Sequence, residues 1–251
     1  MKKNTRTLQI MNIVGFIAII LVNTLANSLP LNDITQAELS DLYPNLFVPA
    51  GYVFSIWFVI YLLLLGFTVY QASPNRIKVD FIEKIGYYFF FSCMASVTWI
   101  FLWHYKLVFL SLLAMFGILG SLIMIYLRLD VGRVGVSREE WLLTQLPFSV
   151  YLGWITVASI ANVVALLVSF NWSGFGVGEV TWTIVMISIA VLLTLLNINI
   201  RGDVGYVAVI IWALAGIVVK QMAIVNIVYT AGIGIIILIS FLAFKVTRAR
   251  I

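Results

Sequence analysis

Pro49-Ala50-Gly51-Tyr52-Val53-Phe54-Ser55-Ile56-Trp57-Phe58-Val59-Ile60-Tyr61 carries the chain out of a polar loop and into a continuously apolar run. Pro49 and Gly51 favour a turn. From Tyr52 the next charged residue is Arg76. A membrane-spanning helix needs about 20 mostly apolar residues, so the stretch predicts a span over about 50–72. Aromatic side chains gather where that span begins. Trp57 and Tyr61, four residues apart, share one face of it.

Seven more runs have the same character, and together they predict spans at about 8–30, 50–72, 84–104, 106–127, 141–169, 180–200, 204–219 and 222–244. Hydrophobic residues make up 63% of the chain and charged residues 10%, against about 25% charged in soluble domains. The runs are continuous, not alternating, which excludes a transmembrane β-barrel, and open strands cannot satisfy their backbone in lipid. The predicted fold is all-α: a polytopic transmembrane helix bundle of about eight spans, with the lipid bilayer as its first partner.

Charge placement predicts the topology. Lys2, Lys3 and Arg6 precede the first span. Arg76, Lys78 and Lys84 lie in the second loop, Arg128, Arg133 and Arg138 in the fourth, Arg201 in the sixth, and Lys245, Arg248 and Arg250 after the last span. Thirteen of the fifteen basic residues therefore fall on one side, and only Lys106 and Lys220 on the other. By the positive-inside rule both termini are cytoplasmic, in a multi-pass protein of the cell membrane. This arrangement accounts for the net charge of +5 without a nucleic-acid partner. Lys2, Lys3 and Arg6 before an apolar run also fit a signal peptide. That run continues to about Pro30, however, and Ala26-Asn27-Ser28 is a poor cleavage site, so an uncleaved helix is expected.

The first outside loop has local order of its own. Thr35-Gln36-Ala37-Glu38 fits a capping box with Ile34 and Leu39 as its hydrophobic staple, and Pro44 would end the helix. A short helix at 36–43 is expected, either a surface element or a lid. Catalytic and metal-binding signatures are missing. No carboxylate lies within a predicted span, where an ionisable group would mark function. His104 sits at a helix end, no ligand set has metal spacing, and Gly174-Phe175-Gly176-Val177-Gly178 lacks the strand–helix setting of a nucleotide fingerprint. The chain is read as a non-enzyme with no required cofactor. One cysteine, Cys93, excludes an internal disulfide.

Aromatic and amide side chains remain. Trp103, Trp141, Trp172 and Trp182 lie near helix ends, as interfacial belts require, whereas Trp57, Trp99, Trp154 and Trp212 lie deeper. Asn12, Asn23, Asn27, Ser96, Ser159, Asn162 and Asn226 fall inside helices, where hydrogen bonding between helices accounts for such residues as readily as ligand contact does. Tyr151, Trp154, Ala158 and Asn162 continue one stripe. Gly117, Gly120 and Ser121 are expected to let their helix pack closely. Trp and Asn together suit a pocket for a flat, largely apolar ligand.

Pro49-to-Tyr61 resembles the Pro-Pro-Gly-Trp-Val-Phe-Gly-Pro-Val-Trp signature of the tryptophan-rich sensory protein (translocator protein, TspO/MBR) family. Tyr52 stands in place of the Trp, Pro49-Ala50 in place of the paired Pro, and Ser55-Ile56 in place of Gly-Pro, one residue short before Trp57. Ser96-Val97-Thr98-Trp99 resembles the family's Asn-x-x-Trp. Tyr151-Leu152-Gly153-Trp154, with Asn162 eight residues on, resembles its Pro-Tyr-x-x-Trp and Leu-Asn. The resemblance covers about residues 8–169, which divides the chain into a five-helix membrane core at 1–169 and three additional helices of a longer branch at 170–251. It implies binding of porphyrins, haem or sterols, and members often form homodimers. Carried onto this chain, it implies a ligand site of Trp57, Tyr61, Trp99, Tyr151, Trp154, Ala158, Ser159 and Asn162. The function expected is a receptor or sensor for a planar tetrapyrrole- or sterol-like ligand. The alternatives are a facilitative transporter of a small solute and a light-dependent porphyrin-degrading protein.

Overall fold

The computed structural model of the chain describes residues 3–28, 31–34, 36–73 and 80–248. The long helices are α1 (Lys3–Ser28), α3 (Ile56–Ala72), α5 (Tyr88–His104), α6 (Val108–Arg128), α8 (Leu146–Ser169), α9 (Glu179–Arg201), α10 (Val204–Lys220) and α11 (Val225–Arg248). Three short helices, α2 (Gln36–Asp41), α4 (Phe81–Ile85) and α7 (Arg138–Glu140), lie in the connections. There is no strand among the described residues. Among the described residues, six helical segments are long and apolar enough to cross a membrane. The other two, α5 and α10, have 17 residues each, at the short end of the spanning range of about 17–25. The all-α membrane bundle is the observed architecture.

Five helices close a ring, in which α1 packs on α5, α5 on α6, α6 on α8, α8 on α3, and α3 on α1. Outside the ring α10 lies against α8, and α11 covers α9 and α10. One apolar cluster runs through both groups, from Phe16 and Ile60 to Ile210 and Ala231. Within lipid the hydrophobic effect does not drive helix association, so close packing and hydrogen bonds must do so. Helix α8 fits this central position, because Gly153, Ala158, Ala161 and Ala165 keep much of its surface small. At Gly153 an added Cβ would lie 3.1 Å from the Tyr206 carbonyl oxygen of α10.

Three local features come from single residues. Gly86 has φ +56 and ψ −136, a conformation that only glycine adopts readily. The expected span at 84–104 is therefore split into α4 and α5. A π-helical turn at Trp141–Gln145 precedes Pro147, which has no N–H to donate to a carbonyl one turn back. Gly216 lets α10 touch the 3₁₀ turn Gly51–Ser55. Its carbonyl accepts from the Ala50 N–H at 3.1 Å, and an added Cβ would lie 2.1 Å from Val53 Cγ2. Gly117 likewise approaches Ala95 at ordinary contact distance, but Gly120 has nothing near it and is no packing site.

The polar contacts sort into two ends. At one end Thr5 donates to Glu83 at 3.2 Å, Asn12 to Gln71 at 2.8 Å, Arg201 to Asp130 at 3.1 Å, and Lys245 to the Asn199 carbonyl. The start of α1 and the end of α11 both lie there. Buried Asp203 ties this end together. It caps α10 through the Gly205 N–H at 3.0 Å and accepts from Tyr126 at 2.7 Å and Ser149 at 2.6 Å. The opposite end holds α2 and the Asp41–Lys220 ion pair at 3.6 Å. Helix α2 agrees with the expected loop helix. Thr35 of the capping box, and Lys2, Arg76, Lys78 and Arg250 of the charge pattern, lie outside the described residues.

Candidate functional site

Near the end opposite the termini, a partly open cavity of about 60 Å³ lies between the ring helices and the first loop. Its walls are aromatic: Trp57 from α3, Trp99 and Trp103 from α5, Trp154 from α8, and Phe54 from the 3₁₀ turn. Ala158, Ala161 and Ala165, together with Asn162, supply the α8 side, and their small side chains leave the space. Gln36, Ser40, Val48 and Pro49 from the first loop cover it.

The rings brace one another. Trp57 meets Trp154 edge to face at 6.2 Å and Phe54 meets Trp154 at 5.7 Å. Trp99 stacks on Trp103 at 6.0 Å, and Tyr43 tilts against Trp103 at 5.5 Å. Such pairs contribute about 0.5–1.5 kcal/mol beyond area burial. Burial raises the Tyr43 hydroxyl pKa above its usual value.

The polar groups divide into committed and uncommitted ones. The Trp99 indole donates to Asn162 Oδ1 at 2.9 Å, and Asn162 Nδ2 donates to Ser111 Oγ at 3.3 Å. Asn162 thus joins α5, α6 and α8. Trp154 is only 3% exposed, and its indole N–H has no acceptor among the described residues. Leaving a buried donor unpaired costs about 1–3 kcal/mol.

Of the residues expected at the site, Trp57, Trp99, Trp154, Ala158 and Asn162 line this cavity. Tyr61, Tyr151 and Ser159 do not. Tyr61 stacks on Trp57 at 5.5 Å and Tyr151 meets it at 6.0 Å, so both back the Trp57 wall. Ser159 is buried, and its hydroxyl has no partner among the described residues. Trp103, Phe54, Met115 and the covering loop were not expected at the site. The spacing of Trp99 and Trp103, four residues apart, could have revealed Trp103. Trp212, expected deep, is 37% exposed and donates to the Val53 carbonyl at 3.1 Å. His104, at the end of α5 as expected, is buried, with Nδ1 2.8 Å from the Ile100 carbonyl oxygen.

Long apolar helices, with aromatic rings from three of them around a cavity bordered by the small side chains of α8, mark this as a multi-pass membrane protein. A family model described as TSPO-like protein matches residues 9–244, and the chain belongs to that family. The match runs through α9, α10 and most of α11 as well as the five-helix ring. No curated protein and no solved structure matches the chain.

Proposed function

We propose that this protein is a non-enzymatic membrane receptor or sensor. It takes a planar, largely apolar ligand of tetrapyrrole- or sterol-like shape between Trp57, Trp99, Trp103 and Trp154. The observation that carries this reading is the buried Trp154 N–H without an acceptor, in a cavity walled by aromatic rings. A ligand carbonyl, carboxylate or ring nitrogen would satisfy it, and the ring faces would stack on the ligand plane.

Volume sets a condition on this reading. Pockets for drug-sized ligands enclose roughly 300–1,000 Å³, well above the 60 Å³ present. On this reading the cavity widens to admit a ligand, by movement of the loop that lies over it. That loop is held from below by Gln36, whose Nε2 donates to Asn23 Oδ1 at 3.3 Å. By the positive-inside rule the loop faces away from the cytoplasm and both termini face it, so a ligand would enter from the outer side.

Purified protein reconstituted into liposomes tests receptor against transporter. Saturable binding of protoporphyrin IX without its accumulation inside the vesicles is expected. Accumulation that depends on the protein would favour the transporter, and loss of porphyrin only under illumination would favour photochemical degradation.

A further inference from the structure

We infer that the end of the bundle opposite the termini carries a second binding site, for an organic cation with an apolar body, between Trp172, Trp182 and Glu179. A hollow of about 370 Å³ opens there, about six times the volume of the tryptophan-walled cavity. Trp172, Trp182, Phe47 and Met186 give it an apolar wall, and Glu179 lines it. It adjoins a second hollow of about 360 Å³, with which it shares Pro44, Asn45, Leu46 and Glu179.

The wall is fixed before any ligand arrives. The Trp182 indole donates to the Gly174 carbonyl at 3.0 Å. Trp172 lies against Trp182 with centroids 5.1 Å apart at 53°, and against Phe175 at 5.2 Å. Two tilted indole rings offer negative faces, which attract a cation within about 6 Å.

Charge selects the sign. Asp41 and Lys220 line the neighbouring hollow and pair with each other at 3.6 Å, so their charges offset. Glu179 has no ion pair among the described residues, and its carboxylate is exposed at the junction of the two hollows. It stands in the first turn of α9, and no backbone N–H of that turn donates to its carboxylate among the described residues. The surroundings therefore combine one unbalanced negative charge with aromatic faces and an apolar floor.

The test uses two ions of nearly equal size and opposite charge, tetraphenylphosphonium and tetraphenylborate, in equilibrium dialysis against the purified full chain in detergent. Tetraphenylphosphonium should bind saturably and at least tenfold more tightly than tetraphenylborate. Glu179→Gln should weaken the cation by about twofold to fivefold, the range of an exposed charge pair, whereas Glu179→Asp should retain most of the affinity. Asp80→Asn at the other end and Trp154→Leu in the aromatic cavity should leave it unchanged, which separates this site from the proposed receptor site. Equal affinity for the two ions in the unmodified protein, or cation binding unmoved by Glu179→Gln, overturns the inference.

Discussion

The indole N–H of Trp99 on α5 donates to Oδ1 of Asn162 on α8 across 2.9 Å, at the wall of the aromatic cavity. Because Asn162 also donates to Ser111 on α6, one amide holds three helices of the ring in register. Its capacity is mostly spent on the protein, so it acts on a ligand chiefly by keeping the Trp99 face in place.

Asn162→Leu should lower stability by about 1 kcal/mol, the scale of a hydrogen bond between membrane helices. A double-mutant cycle with Trp99→Phe, read from unfolding in detergent, should return a coupling of roughly 0.5–1.5 kcal/mol. A coupling indistinguishable from zero would mean that the bond does not hold the ring together.

Gly216→Ala places a Cβ where Val53 Cγ2 already sits, 2.1 Å away. Overpacking of this kind costs about 1–3 kcal/mol. Thermal unfolding should show the loss, and Val53→Ala in the same chain should restore much of it by removing the clashing methyl. If Gly216→Ala alone is neutral, α10 and the 3₁₀ turn are not in close contact.

Gln36 fastens the covering loop to Asn23 on α1. Gln36→Ala should raise the dissociation rate of a bound porphyrin by about twofold to tenfold, since a typical hydrogen bond contributes about 0.5–1.5 kcal/mol. The melting temperature should hardly change, because the contact lies at the end of the bundle. Stopped-flow dilution measures the rate, and an unchanged rate would mean that the loop does not gate the cavity.

The helices were legible because continuous apolar runs with basic residues on alternate loops leave no other fold in lipid. The split at Gly86 was not, since one glycine in an apolar run is equally compatible with an unbroken helix until its φ of +56 is known. The site was partly legible. Trp57, Trp99, Trp154, Ala158 and Asn162 could be placed from helical spacing and the family pattern. Tyr61 and Tyr151 share a face with cavity residues but sit one ring behind them, a difference in depth that spacing cannot report. Trp103 reads from sequence as an interfacial residue. Only the packing of Tyr43 and of the loop above it turns that ring inward. Loop residues such as Val48 and Pro49 carry no periodic signal, so their place over the cavity follows from the fold alone.

The most direct test of the receptor reading is a titration of protoporphyrin IX into the purified protein, followed by tryptophan fluorescence. The unmodified chain should be quenched saturably. Trp154→Leu should weaken binding by about 1–3 kcal/mol, the scale of one large buried apolar side chain, without loss of the folded state. Trp141→Leu, at the end where the termini lie, should bind as the unmodified chain does. Equal weakening by both substitutions, or undiminished binding by Trp154→Leu, would contradict a ligand site between Trp57, Trp99, Trp103 and Trp154.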